Sequence, residues 1–183
     1  MDTDAISIKR KELQRRLNGQ KLKDWDSLPD FGLYMEQVLL FLKEPNMCIG
    51  NQDEDNFTRS MINNYIKQGL VPHCDGKKYS REHLAYLVAI SLLKQVMSIS
   101  DVKDFLDITM DVINPFSAFT RYQRSLNTAF DEVIEDIDGW DEGDIFVSKM
   151  IIRFAAKSYA YKFLANELLK MYKKTDENGT KEK

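Results

Sequence analysis

The sequence predicts a mostly α-helical chain with one small hairpin, and three features of its 183 residues carry that expectation. Glycines (eight) and prolines (four) are sparse, so long segments run without a turn signal. Apolar residues recur at three- and four-residue spacing from Leu33 onward, the period of one helix face. The Asp75-Gly76 pair is the strongest two-residue turn signal.

Residues 5–17 read as a short basic helix, followed by a linker with Trp25 and Pro29. Leu33, Tyr34, Val38, Leu39, Phe41 and Leu42 have the spacing of a buried helix, with Asp30 as its N-cap candidate and Pro45 beyond its end. A polar, acidic loop spans Asn46 to Asn56. Thr58 then caps a helix through Gln68, with Ile62, Tyr65 and Ile66 as its apolar stripe and Gly69 in the left-handed closing position. That register leaves Arg59, Ser60, Asn63, Asn64 and Lys67 on the open face. Val71 to Tyr79 reads as a hairpin, and Ser80 caps a third helix that is apolar at Leu84, Leu87, Val88, Ile90 and Leu92. Ser100 is the expected cap of the next helix, which turns Val102, Phe105 and Leu106 inward. Two longer helices are expected at Phe116 to Ile137 and Asp144 to Lys173, and 174–183 reads as a polar disordered tail. The resulting divisions are 1–30, 31–111, 112–173 and 174–183.

A net charge of −3 conceals segregation along the chain. Lys9, Arg10, Lys11, Arg15, Arg16, Lys21 and Lys23 stand against Glu12 alone, while Asp104 to Asp144 holds eleven acids against Arg121 and Arg124. No run approaches the roughly 18 apolar residues of a membrane span, and the start is polar, so a cytoplasmic address without membrane association is expected. Cys48 and Cys74 are too few and too far apart for a disulfide framework. His73 and Cys74 lack a third metal ligand nearby, and Asp-Ile-Asp-Gly-Trp-Asp-Glu-Gly-Asp at 136–144 puts Trp140 where a calcium loop needs oxygen. No catalytic motif is evident, so neither an enzyme nor a cofactor is expected.

From Phe57 to Leu106 the ordered features form a larger pattern. They are Tyr65, Gly69, Leu70 and Pro72, then Lys77, Lys78, Tyr79 and Ser80, then Leu84 and Leu87, a break at Ser98-Ile99, and a capped helix to Leu106. This segment resembles the DNA-binding domain of the MerR family of bacterial regulators. The resemblance implies a MerR-like winged helix-turn-helix with a β-hairpin wing and a C-terminal helical module. It departs from the family at Asn63, where arginine is usual, at Ile66, where an acid is usual, and in a longer loop carrying Asp53, Glu54 and Asp55. The whole chain also resembles an uncharacterised, mainly Gram-positive bacterial family of unknown function, through its MINNYIKQGL and KKYSREHLAYL segments.

A domain of this kind would lay the Thr58 to Gln68 helix in the major groove of double-stranded DNA. Asn63 and Asn64 are the candidate base readers, with Ser60 beside them, and Arg59, Lys67, Lys77, Lys78 and Arg81 the candidate phosphate contacts. Transcriptional regulation by a homodimer, paired through the C-terminal helices, is the function implied. The rival reading is a protein-interaction module that keeps the fold without DNA binding and uses the acidic Asp104 to Asp144 region. Phe116, Phe119, Tyr122, Phe130, Trp140, Phe146 and Phe154 either line a small-molecule effector pocket or form ordinary core.

Overall fold

The computed structural model describes residues 3–48, 57–74, 76–138 and 144–179, and these are mostly helical. Seven helices follow one another: α1 (Thr3–Asn18), α2 (Met35–Phe41), α3 (Arg59–Lys67), α4 (Arg81–Val96), α5 (Ile99–Val112), α6 (Pro115–Asp138) and α7 (Asp144–Gly179). A 3-10 turn, Trp25–Ser27, lies between α1 and α2. Among the described residues no helix is long and apolar enough to cross a membrane.

The central core is built from α2 to α5. Val38, Ile62, Leu84, Leu87, Ile90 and Val102 are inaccessible to solvent, and Leu70 and Val71 follow α3 into the same core. Burial of one such side chain stabilises by roughly 1.5–3 kcal/mol, so this cluster decides the fold more than helix propensity does. α4 is its axis, apolar on most sides because α5 and α6 both pack against it.

Capping chemistry sets most boundaries. Thr58 Oγ1 accepts from the Met61 N–H at 3.2 Å, and Gly69 takes φ +74° after α3, both as the sequence implies. Two caps are displaced from their expected places. Ser98, and not Ser100, starts α5: its Oγ accepts the Asp101 N–H at 3.1 Å, and extended Met97 has already broken α4. Tyr34, and not Asp30, precedes α2, where the Gln37 side chain accepts the Tyr34 N–H at 2.8 Å.

The expected β-hairpin wing is not found: the described residues contain no strand, and Asp75 lies outside them. Instead Tyr79 forms an isolated antiparallel bridge with Leu33, N–H to O at 2.8 Å and 2.9 Å in the two directions. Those backbone groups are thereby committed to a residue ahead of α2. Pro72 also brings no N–H to a ladder.

The basic N-terminal segment and the acidic C-terminal half meet within the molecule. α1 packs along α6, and Lys21 pairs with Asp131. Between the two, the Leu22 N–H donates to Asn127 Oδ1 at 2.9 Å while Asn127 Nδ2 donates to the Leu22 carbonyl at 3.0 Å. Further along, Arg153 and Lys157 reach Asp136, and Lys173 reaches Asp101 and Asp104. Ser98 and Lys173 together hold the Asp101 carboxyl below its usual pKa.

α7 continues to Gly179, past its expected end at Lys173, and spans about 54 Å at 1.5 Å per residue. Among the described residues it touches the rest of the molecule sparsely, through ion pairs to α5 and α6 and the buried Met150 and Leu169. Its residues Val147, Met150, Phe154, Lys157, Tyr161, Leu164, Leu168 and Met171 alternate three- and four-residue steps, a heptad seam. Met150 is buried, whereas the four from Tyr161 onward are 54–68% exposed.

Candidate nucleic-acid interface

The α3 register separates two faces cleanly. Ile62 and Tyr65 are buried, and the Tyr65 ring meets Phe57 edge to face at 6.2 Å between centroids. At about 100° per residue, Arg59, Ser60, Asn63, Asn64 and Lys67 fall within one arc on the opposite side, and all five are exposed. The structure therefore brings together all five α3 candidates named from the sequence.

The segment ahead of α4 adds two more cations. Tyr79 is buried, so its bridge to Leu33 fixes the backbone beside Lys77 and Lys78, both exposed. Lys78 Nζ stands 5.5 Å from the Tyr34 ring centroid, and its stem passes so close to Gly32 that a Cβ there would lie 2.9 Å from Lys78 Cβ. Glycine at position 32 is what lets the two segments approach. Tyr34 and Glu36 sit at the start of α2, and the Glu36 carboxylate pairs with Arg59. The start of α2 thus touches both sides of the candidate face, Tyr34 under Lys78 and Glu36 on Arg59 in the first turn of α3.

Two candidate cations are already engaged. Glu36 accepts from Arg59, and its carboxyl is held below the usual range by its own backbone N–H and by that guanidinium. Arg81 is the larger departure from expectation. Its guanidinium lies over the Trp25 ring at 5.8 Å, 3.6 Å from Asp26 and 4.0 Å from Asp30, and its side chain is only 23% exposed. It fastens the 3-10 turn to the start of α4 rather than standing free toward solvent.

Sequence reasoning missed Tyr34 and Glu36. The run Phe31-Gly32-Leu33-Tyr34, apolar around a glycine and just before a helix, was the available sign of an extended segment. The acidic loop at Asp53 to Asp55 lies outside the described residues.

The other sequence candidates have structural settings. His83 is buried, and its Nδ1 accepts the Ser80 N–H at 3.1 Å, closing the first turn of α4. Burial raises the Cys48 thiol to about 12, so it stays protonated at neutral pH. Among the described residues no group of three or more His, Cys, Asp or Glu side chains could hold a metal ion. Of the aromatic set, Phe119 and Tyr122 line a cleft, Phe116 packs edge-on against Trp25, and Phe130 packs on the core. Trp140 and the Phe146 side chain lie outside the described residues.

A family model described as Domain of unknown function (DUF1836) matches residues 23–133. No curated protein and no solved structure matches the chain.

Proposed function

The chain belongs to the DUF1836 family, whose extent runs from the 3-10 turn into α6 and includes every candidate interface residue, and on that premise we propose that it is a DNA-binding transcriptional regulator. The observation that carries this reading is the open face of α3. Five side chains able to meet bases or phosphates share that face, and the opposite face is anchored in the core. In this reading the arrangement serves as a MerR-like helix-turn-helix in which the Leu33–Tyr79 bridge, in place of a hairpin wing, presents Lys77 and Lys78.

In this reading Asn63 and Asn64 make two-point contacts to adenine, with Ser60 beside them. Lys67, Lys77 and Lys78 meet phosphates, joined by Arg59 once it leaves Glu36. Two half-sites require two copies of the chain, and the exposed seam on α7 offers the surface for a homodimer.

The test is the salt dependence of duplex binding. Affinity should fall steeply with rising salt, and Lys77→Gln combined with Lys78→Gln should reduce the log–log slope by about two. Absence of duplex binding at low salt overturns the proposal. A protein-interaction role is the second reading, favoured by Phe31 and Tyr34 ahead of α2 and Leu40 near its end, which are at least half exposed. It requires a protein partner that co-purifies after nuclease treatment and is lost on Leu40→Asp.

A further inference from the structure

A cleft of about 330 Å³ opens between α4, α5 and α6, at the low end of the roughly 300–1,000 Å³ typical of ligand sites. Its walls are apolar, with Ala85 and Ala89 from α4, Phe105 and Met110 from α5, and Phe119 and Tyr122 from α6. The alanines matter because leucines at the same positions would fill the space. Arg121 is the one charged residue among those lining the cleft.

The charge setting of Arg121 distinguishes this cleft from ordinary loose packing. Several cations that reach this acidic half of the chain are paired: Lys21 with Asp131, Lys103 with Asp107, and Lys173 with Asp101 and Asp104; among the described residues Arg121 and Arg124 on α6 are not, and of these two only Arg121 lines the cleft. Arg121 makes no ion pair among the described residues, although eleven acids lie between Asp104 and Asp144. It is exposed, one helical turn from both Ala118 and Ser125, which also line the cleft. An unpaired guanidinium is therefore set at the rim of an apolar hollow. A compact molecule with one apolar body and one negative charge satisfies both features.

We infer that this cleft binds a small apolar acid, with the hydrocarbon between α4, α5 and α6 and the carboxylate on Arg121. The inference does not depend on DNA binding, because neither the cleft nor its test involves the α3 face.

Calorimetric titration of the full chain with octanoate and with octanol, an uncharged counterpart of similar length, tests it. Octanoate should bind at one site about fivefold more tightly than octanol, as expected for a partly exposed charge contact. Arg121→Gln, at an exposed position, should bring the two ligands to equal affinity. Ala89→Leu should weaken both at least tenfold by occupying the cavity, with folding of the variant checked by its unfolding transition. Equal affinity of the two ligands for the native chain overturns the inference. So does undiminished octanoate binding in either variant, or an absence of binding, as would follow if a second copy of the chain filled the cleft.

Discussion

Arg81 shows how far a side chain's neighbours can redefine it. By sequence it is a basic residue just ahead of an apolar helix, beside two lysines, and phosphate contact is the natural expectation. In the structure Trp25, Asp26 and Asp30 hold its guanidinium, and all three lie about fifty positions earlier in the chain. No local pattern reports such a contact. Arg81→Ala should therefore act on folding, removing a cation–π contact of about 1 kcal/mol and lowering the thermal midpoint by about 3 °C. Its effect on duplex affinity should be smaller than that of Lys77→Gln. A thermal melt and a binding isotherm on the same preparations check both, and an unchanged midpoint would return Arg81 to the list of free cations. The Arg59–Glu36 pair was equally hidden, because its partners are brought together only when α2 and α3 pack.

At the scale of elements, α3 was the most legible part of the chain. Thr58, the Ile62/Tyr65 stripe and Gly69 are local signals, and each acts where the sequence places it. The candidate face was readable for the same reason, since a helix fixes which side chains stand opposite its buried stripe. The hairpin was misread because Asp75-Gly76 is a local turn signal, whereas the backbone groups of Tyr79 are satisfied by distant Leu33. Ser98 and Ser100 compete as caps two residues apart, and the extended backbone at Met97 gives the cap to Ser98. These separate roles predict a division of effects on α3. Thr58→Ala should cost about 1 kcal/mol in denaturant unfolding by removing the acceptor for the Met61 N–H. Asn63→Ala and Asn64→Ala should change stability by less than about 0.5 kcal/mol. Under the proposed function, each should nevertheless weaken specific duplex binding about tenfold. Equal binding by all three variants and the native chain would remove α3 as the reading helix.

The whole molecule is a packed unit of α1 to α6 with a long helix that it leaves largely uncovered. On the α7 seam Val147, Tyr161, Leu164, Leu168 and Met171 are 47–68% exposed, an apolar stripe that a second copy would cover. Association through this helix should make the thermal midpoint rise with protein concentration. Leu164→Asp combined with Leu168→Asp should abolish that rise and give a monomer by light scattering, while the α4-centred core remains folded. A native chain that is monomeric at all concentrations would exclude this seam. The three- and four-residue apolar spacing of α7 is legible in the sequence, but only the packed structure shows that Tyr161, Leu164, Leu168 and Met171 stay exposed while Leu169 is buried. The Leu33–Tyr79 bridge has a consequence of another kind, in the order of events during synthesis. α2 and α3 lie inside the loop that the bridge closes, so a ribosome releases both before the residue that completes their clasp. Closure of that loop is opposed by chain entropy until Tyr79 has cleared the exit tunnel. A nascent chain that stalls before this point carries α3 on an unfastened mount.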